Sequence, residues 1–168
     1  MHKAVRYILL ALATLITSTG CETIDTNRIP PVEANLIFYT IGEWQHYGVT
    51  GAGDIQQFIK QNGIPAGYPY KVSEATGFGG ILIVCDPIGE YLAYDMACPV
   101  ECRPEIRVQP DKNNPLAGMV KCPKCGSTYN IFARGTAASG EALKARYGLK
   151  SYFIAVGSSM PPYAVIHR

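Results

Sequence analysis

Four cysteines set in two short loops constrain this chain more than any other feature. Cys98 and Cys102 frame the segment C-P-V-E-C, and Cys122 and Cys125 frame C-P-K-C-G, with a strand-like interval between them. Two short loops that each offer two thiolates can pinch one metal centre between them, so a metal or cluster site is expected here. In the second loop Pro123 stiffens the turn. Gly126 tolerates the left-handed backbone that lets the following N–H groups point at sulfur. The fold must therefore bring two hairpin tips together.

The 168 residues suit one domain. Net charge is +2, with both signs scattered along the chain. No basic stripe points to nucleic acid, and no acidic tail points to a solvating segment. The 17 Gly, 12 Pro and 11 Tyr fit short strands joined by many turns. No internal repeat is visible.

The first twenty residues read as a signal peptide. Met1–Arg6 carries His2, Lys3 and Arg6, and Tyr7–Ile16 is apolar. The small residues Ser18, Thr19 and Gly20 then precede Cys21. This ending resembles a bacterial lipoprotein signal, which implies cleavage before Cys21 and lipidation of that cysteine. Residues 21–31 are polar and close on Pro30 and Pro31, as a tether between lipid and domain would. The expected location is the cell envelope, with the chain lipid-anchored to a bacterial membrane. Exported thiols either pair or hold metal. With Cys21 acylated, five cysteines remain, so at least one is unpaired or a ligand.

The domain is expected over 32–168. Val32, Ala34, Leu36 and Phe38 alternate with polar residues as a first strand, and Gly42–Gly53, with Trp44, reads as a connection covering one end of the core. Asp54 is expected to cap a short helical turn through Ile59 that Gly63 ends. Ile81–Val84 is a continuous apolar run suited to a central strand, and Tyr91–Tyr94 pairs back on it. Cys85 reads as a small buried hydrophobe. Glu105–Gln109, Met119–Lys121, Thr128–Phe132, Tyr152–Val156 and Tyr163–Ile166 read as further strands, with a turn at Pro110–Pro115. Residues 136–148 carry mixed signals. The sum is an all-β domain of about nine short strands.

The C-P-x-C-G knuckle is shared by zinc ribbons and rubredoxins. The wider context, Tyr94-Asp95-Met96-Ala97-Cys98-Pro99, then Met119 to Tyr129, then Gly135, Gly140 and Ala142-Leu143, resembles the Rieske iron–sulfur family. The resemblance covers roughly Ile81 to Val156. It implies a small β-sandwich with a cluster-binding subdomain at one end. It assigns Cys98 and Cys122 as cysteine ligands, and Ser127 and Tyr129 as the hydroxyls that hydrogen-bond the cluster sulfurs. A Rieske site has its histidines at the positions held here by Val100 and Cys125. Glu141 stands where the family often has Pro. Cys102 and Cys125 are the nearby substitutes for the missing imidazoles. Four thiolates would leave an oxidised [2Fe–2S] core at about −2 and move its potential toward about −400 mV. They also remove the imidazole proton that accompanies quinol oxidation.

Electron transfer through a four-cysteine [2Fe–2S] cluster, with a redox partner protein, is the function this resemblance implies. The export signal lacks an Arg-Arg pair and so resembles that of a chain exported unfolded, which would arrive without a cluster. The alternative is a non-redox binding or scaffold module of the same fold, its cysteines holding structural zinc or forming disulfides. Sulfur positions discriminate. One zinc ion sets all S···S distances near about 3.7–3.8 Å. A diiron cluster separates Cys98 with Cys122 from Cys102 with Cys125, and a disulfide brings two sulfurs to about 2.05 Å. Thiol–disulfide exchange at C-P-K-C wants a helix after the first cysteine, where the sequence reads as strand. Oxygenase and haem chemistry lack their histidines or their C-x-x-C-H. Arg103, Lys121 and Lys124 flank the site as a solvated rim. The chain reads as a carrier or binding module more than as a catalyst.

Overall fold

The computed structural model describes residues 23–111 and 117–168. The signal segment and Cys21 lie outside them, as does most of the expected turn at Pro110–Pro115. The described chain is mostly β. Strands β1 (Ala34–Phe38), β2 (Ile55–Phe58), β3 (Ala75–Thr76), β4 (Ile81–Cys85), β5 (Tyr91–Asp95), β10 (Ser151–Val156) and β11 (Ala164–His167) form a seven-stranded sheet in the order β2-β4-β5-β10-β11-β1-β3. Every pairing in it is antiparallel. The sheet curls until its edges approach, and the backbone N–H of Lys60, just past β2, donates to the Thr76 hydroxyl of β3 at 3.3 Å. A second sheet is inserted between β5 and β10 in the chain. It contains β6 (Gln109–Pro110), β7 (Met119–Lys121), β8 (Thr128–Asn130) and β9 (Thr136–Ser139) in that order.

The apolar run Ile81–Cys85 is the hinge between two cores. Successive strand side chains face opposite sides. Ile81, Ile83 and Cys85 therefore join Leu36, Phe38, Trp44, Phe58, Ala93 and Ile166 inside the curled sheet. Leu82 and Val84 face Tyr94, Met96, Val120, Tyr129, Ile131 and Leu149 beneath the cysteine loops. A strand buried on both faces has no place for alternation, which is why its sequence reads as an unbroken apolar run. Cys85 is buried, as expected.

Four segments differ from the sequence reading. The stretch around Trp44 forms helix α1 (Ile41–Tyr47). Thr40 caps it: its hydroxyl accepts from the Glu43 N–H at 3.1 Å while the Glu43 carboxylate reaches back to the Thr40 N–H. That capping box was legible as T-x-x-E and outweighs the local glycines. Residues Ile55–Phe58 form β2 and not a helical turn, because pairing with β4 satisfies their backbone and buries Phe58. The region of mixed signals resolves into β9 and the short helix α2 (Gly140–Ala145). The Glu105–Gln109 strand is reduced to β6, at Gln109–Pro110.

Asp95 fastens the stem of the first cysteine loop. Its buried carboxylate accepts from the N–H groups of Phe78 (2.8 Å), Gly79 (2.9 Å) and Ala97 (2.8 Å), and from the Tyr152 hydroxyl (2.5 Å). Burial raises its pKa, and these hydrogen bonds offset part of the rise. Cys98 follows three residues later.

Candidate metal centre

The two loops meet, but they hold their cysteines differently. The second is the tip of the β7–β8 hairpin. The Cys122 N–H donates to the Ser127 carbonyl at 2.9 Å, and the Gly126 N–H donates to the Cys122 carbonyl at 3.1 Å. Gly126 adopts φ 73, the left-handed region predicted for it. This closed turn aims Cys122 and Cys125 to one side. The first loop leaves β5 through Asp95. The Cys98 N–H donates to the Ile106 carbonyl at 2.9 Å, and the Cys102 N–H returns to the Cys98 carbonyl at 2.8 Å.

Three thiols converge. The sulfurs of Cys98, Cys122 and Cys125 all lie within 4.8 Å of one another. Cys98 and Cys125 are 3.6 Å apart, and the Tyr129 hydroxyl is 3.5 Å from Cys98 Sγ. Cys98 and Cys122 are buried, and Cys125 is partly exposed. Cys102 lies outside this group. Its thiol donates to the Arg28 carbonyl at 3.1 Å, and its own backbone is left-handed at φ 51. All five described cysteines are free thiols, so no disulfide closes either loop.

The two expected hydroxyl residues sit on this cluster. Tyr129 is fully buried in β8 with its phenol on Cys98. Ser127, also buried, accepts from the Ala142 N–H at 3.1 Å and hydrogen-bonds Cys125 through its hydroxyl and its N–H. Gly140 is the small residue this needs, because a Cβ there would press on Ser127. A further bridge ties the loops from outside: Lys124 Nζ meets the Glu101 carboxylate at 2.6 Å. Arg103 pairs with Glu105 at 3.8 Å in solvent. His46, at the end of α1, stacks edge-on against Tyr47, and His167 stacks on Phe153; neither approaches the thiols.

The thiols differ electrostatically. Burial pushes Cys98 up to about 12, against the opposing hydrogen bond from Tyr129. Burial also acts on Cys125, but hydrogen bonds from Ser127, Cys122 and Cys98 outweigh it and hold that thiol below its usual value. Burial and the adjacent Cys98 keep the Tyr129 phenol well above its ordinary range, so it stays a donor. Cys125 thus ionises more readily than Cys98, whose ionisation a bound cation would favour. A soft divalent metal supplies that cation, and metal uptake must release protons.

Three thiol donors, with no carboxylate grouped with them among the described residues, suit a thiophilic metal and not a hard cation. The 3.6 Å separation of Cys98 and Cys125 matches the roughly 3.8 Å edge of a tetrahedral sulfur site. Cys125 sits with Cys98 and Cys122, so the sulfurs are not divided into two distant pairs. Three of the four expected cysteines therefore fit a single ion as they stand, leaving its fourth position to Cys102, after rotation away from Arg28, or to solvent.

Sequence reasoning missed the contact between Arg28 and Cys102. Nothing in either segment signals it, because it links a backbone carbonyl to a thiol 74 residues away. It also left Asp95 without a role, although an acidic residue ending a strand just before the ligand loop was visible. Among the described residues no helix is long and apolar enough to cross a membrane. The chain matches no protein-family model and no curated protein.

Proposed function

We propose that this chain is a lipid-anchored envelope protein whose divergent Rieske-type domain holds one thiolate-bound metal ion, zinc by its donor set, on Cys98, Cys122 and Cys125. The ion would tie the β7–β8 hairpin to the loop after β5 and add its binding energy to that of the core beneath the two loops. The domain then serves as a non-redox binding or scaffold module presented from the membrane by a lipid on Cys21. The observation that carries this reading is the convergence of three sulfurs within 4.8 Å while Cys102 is engaged elsewhere.

A [2Fe–2S] electron carrier is the second reading. The Tyr129 hydroxyl on Cys98 and the pair of facing loops favour it. It requires Cys102 to leave Arg28 and to face Cys125 across a cluster. Anaerobic purification from the native envelope, followed by metal and sulfide analysis and a visible spectrum, separates the two. The expected result is about one zinc per chain without visible bands. Iron with acid-labile sulfide and charge-transfer bands would transfer the function to the carrier. A metal-free protein that takes up neither zinc nor a cluster would end both.

A further inference from the structure

Residues 23–31, expected as a loose tether, are part of the packed domain. The Asp25 N–H donates to the Arg146 carbonyl at 2.9 Å, and the Gly148 N–H donates to the Asp25 carbonyl at 3.0 Å, giving a parallel bridge between Asp25 and Tyr147. The Arg28 guanidinium sits 4.8 Å from the centre of the Tyr147 ring. Ile29 is 1% exposed, Lys150 Nζ lies 3.4 Å from the Ile29 carbonyl, and Arg168 donates to the Pro31 carbonyl at 2.9 Å. From Asp25 to Pro31 the chain follows the domain surface contact by contact.

Covalent geometry then bounds the anchor. Cys21 precedes Asp25 by four residues. At no more than about 3.6 Å per residue, that segment spans roughly 14 Å at full extension. A lipid on Cys21 would therefore keep the surface around Asp25 and α2 within about that distance of the bilayer.

That surface is suited to the contact. Ile24 is 44% exposed and Leu143 is 52% exposed. With Ala137 and Arg146 they line a largely apolar depression of about 270 Å³. Lys144 stands beside it, paired with Glu141 at 3.5 Å in solvent. Arg28, Lys144 and Arg146 supply basic charge there, against Asp25 and Glu141. Apolar side chains ringed by Lys and Arg are what the interfacial layer of a bilayer accepts.

The geometry points to this face as a membrane-contact surface: Ile24 and Leu143 enter the interfacial layer of a phospholipid bilayer, and Lys144 reaches its headgroup phosphates. The inference rests on the reading of Cys21 as the lipid-bearing residue. It turns the domain from a swinging module into one docked in a fixed orientation. It also places the membrane one short helix from the thiols, since α2 presents Leu143 outward while its Ala142 N–H donates to Ser127.

The test uses the mature lipidated protein in vesicles of phosphatidylethanolamine and phosphatidylglycerol with brominated acyl chains. Two variants carry a reporter indole, Leu143→Trp and Met160→Trp; the native Trp44, 2% exposed, gives both the same background. Met160 is 74% exposed and lies beyond the far end of β10, whose six residues carry the chain roughly 20 Å from the α2 end. In the Leu143→Trp protein we expect a blue-shifted emission and quenching at least about twofold greater than in the Met160→Trp protein, as for a side chain held at the acyl boundary. Equal quenching of the two in vesicle-bound protein would overturn the surface and leave the anchor standing. An intact mass without acyl chains on Cys21 would remove the anchor and the surface with it. Ile24→Trp repeats the measurement should the Leu143 variant fold poorly.

Discussion

The two cysteine loops look alike in sequence and behave differently in the fold. The C-P-K-C-G loop is self-contained: two backbone hydrogen bonds across its own tip and one left-handed glycine aim both thiols at the same point. The C-P-V-E-C loop divides its cysteines, Cys98 to the cluster and Cys102 to the carbonyl of Arg28. One additional residue of spacing makes the difference. Three intervening residues close a wider turn through the Cys102 N–H and Cys98 carbonyl, and Cys102 leaves it with a left-handed backbone. A pair of cysteines is thus a bidentate ligand only when the turn between them is of the right length. The largest expected effect tests the self-contained loop. Cys122→Ala removes a fully buried thiol of the cluster, so if the cluster holds metal as proposed, affinity should fall by well over about 100-fold, more than loss of an outer hydrogen-bond partner gives. Stoichiometry after dialysis against a weak chelator measures it.

The next effect falls on the stem of the divided loop. Asp95→Asn keeps the shape but faces an amide NH2 toward donors that a carboxylate accepted, at a cost of about 2–4 kcal/mol in urea unfolding. The pH profile carries the sign. Burial raises the Asp95 pKa above its unfolded value, so the folded state binds that proton more tightly. Its contribution is fully present below the unfolded carboxylate value of about 3.9 and declines as pH rises through the elevated folded one. The stability difference between wild type and Asp95→Asn should therefore narrow on going from acid toward neutral pH. A difference that widens over that range would show that the carboxylate's hydrogen bonds outweigh its burial. Gly126→Ala is expected to be milder. A Cβ there meets nothing within 4 Å, so only the φ of 73 is strained, costing about 1–2 kcal/mol.

The contrast also explains what the sequence could disclose. Local devices were legible. Gly126 announced a left-handed turn, Ile81–Val84 announced a doubly buried strand, and the spacing of Cys122 and Cys125 announced a shared direction. Each of these is fixed by a few neighbouring residues. What escaped depends on distant partners. Ile55–Phe58 became a strand because β4 lay beside it, and residues 23–31 joined the domain because Arg146, Tyr147, Gly148 and Lys150 accepted them. Cys102 escaped for the same reason. Its spacing permits ligation, and only the arrival of Arg28 from the N-terminal segment shows that its thiol has another partner. The T-x-x-E box at Thr40 was a local signal that the surrounding glycines obscured.

The smallest expected effect is the sharpest test of the comparison. Cys102→Ala deletes one hydrogen bond from a thiol to an exposed carbonyl that water can replace, so unfolding should shift by less than about 1 kcal/mol. If Cys102 is the outlier that its contact with Arg28 makes it, metal stoichiometry stays the same and solvent completes the coordination sphere. Cys98→Ala in parallel should lose the metal, since that sulfur is buried and lies 3.6 Å from Cys125. Equal metal loss in the two variants would mean that the ion draws Cys102 off Arg28 and makes the first loop bidentate after all. The same ion would then loosen the N-terminal segment from the domain, and protease sensitivity near Arg28 would rise when metal is added. Unchanged protease sensitivity together with unchanged stoichiometry leaves one loop as the chelate and the other as a single-cysteine clasp.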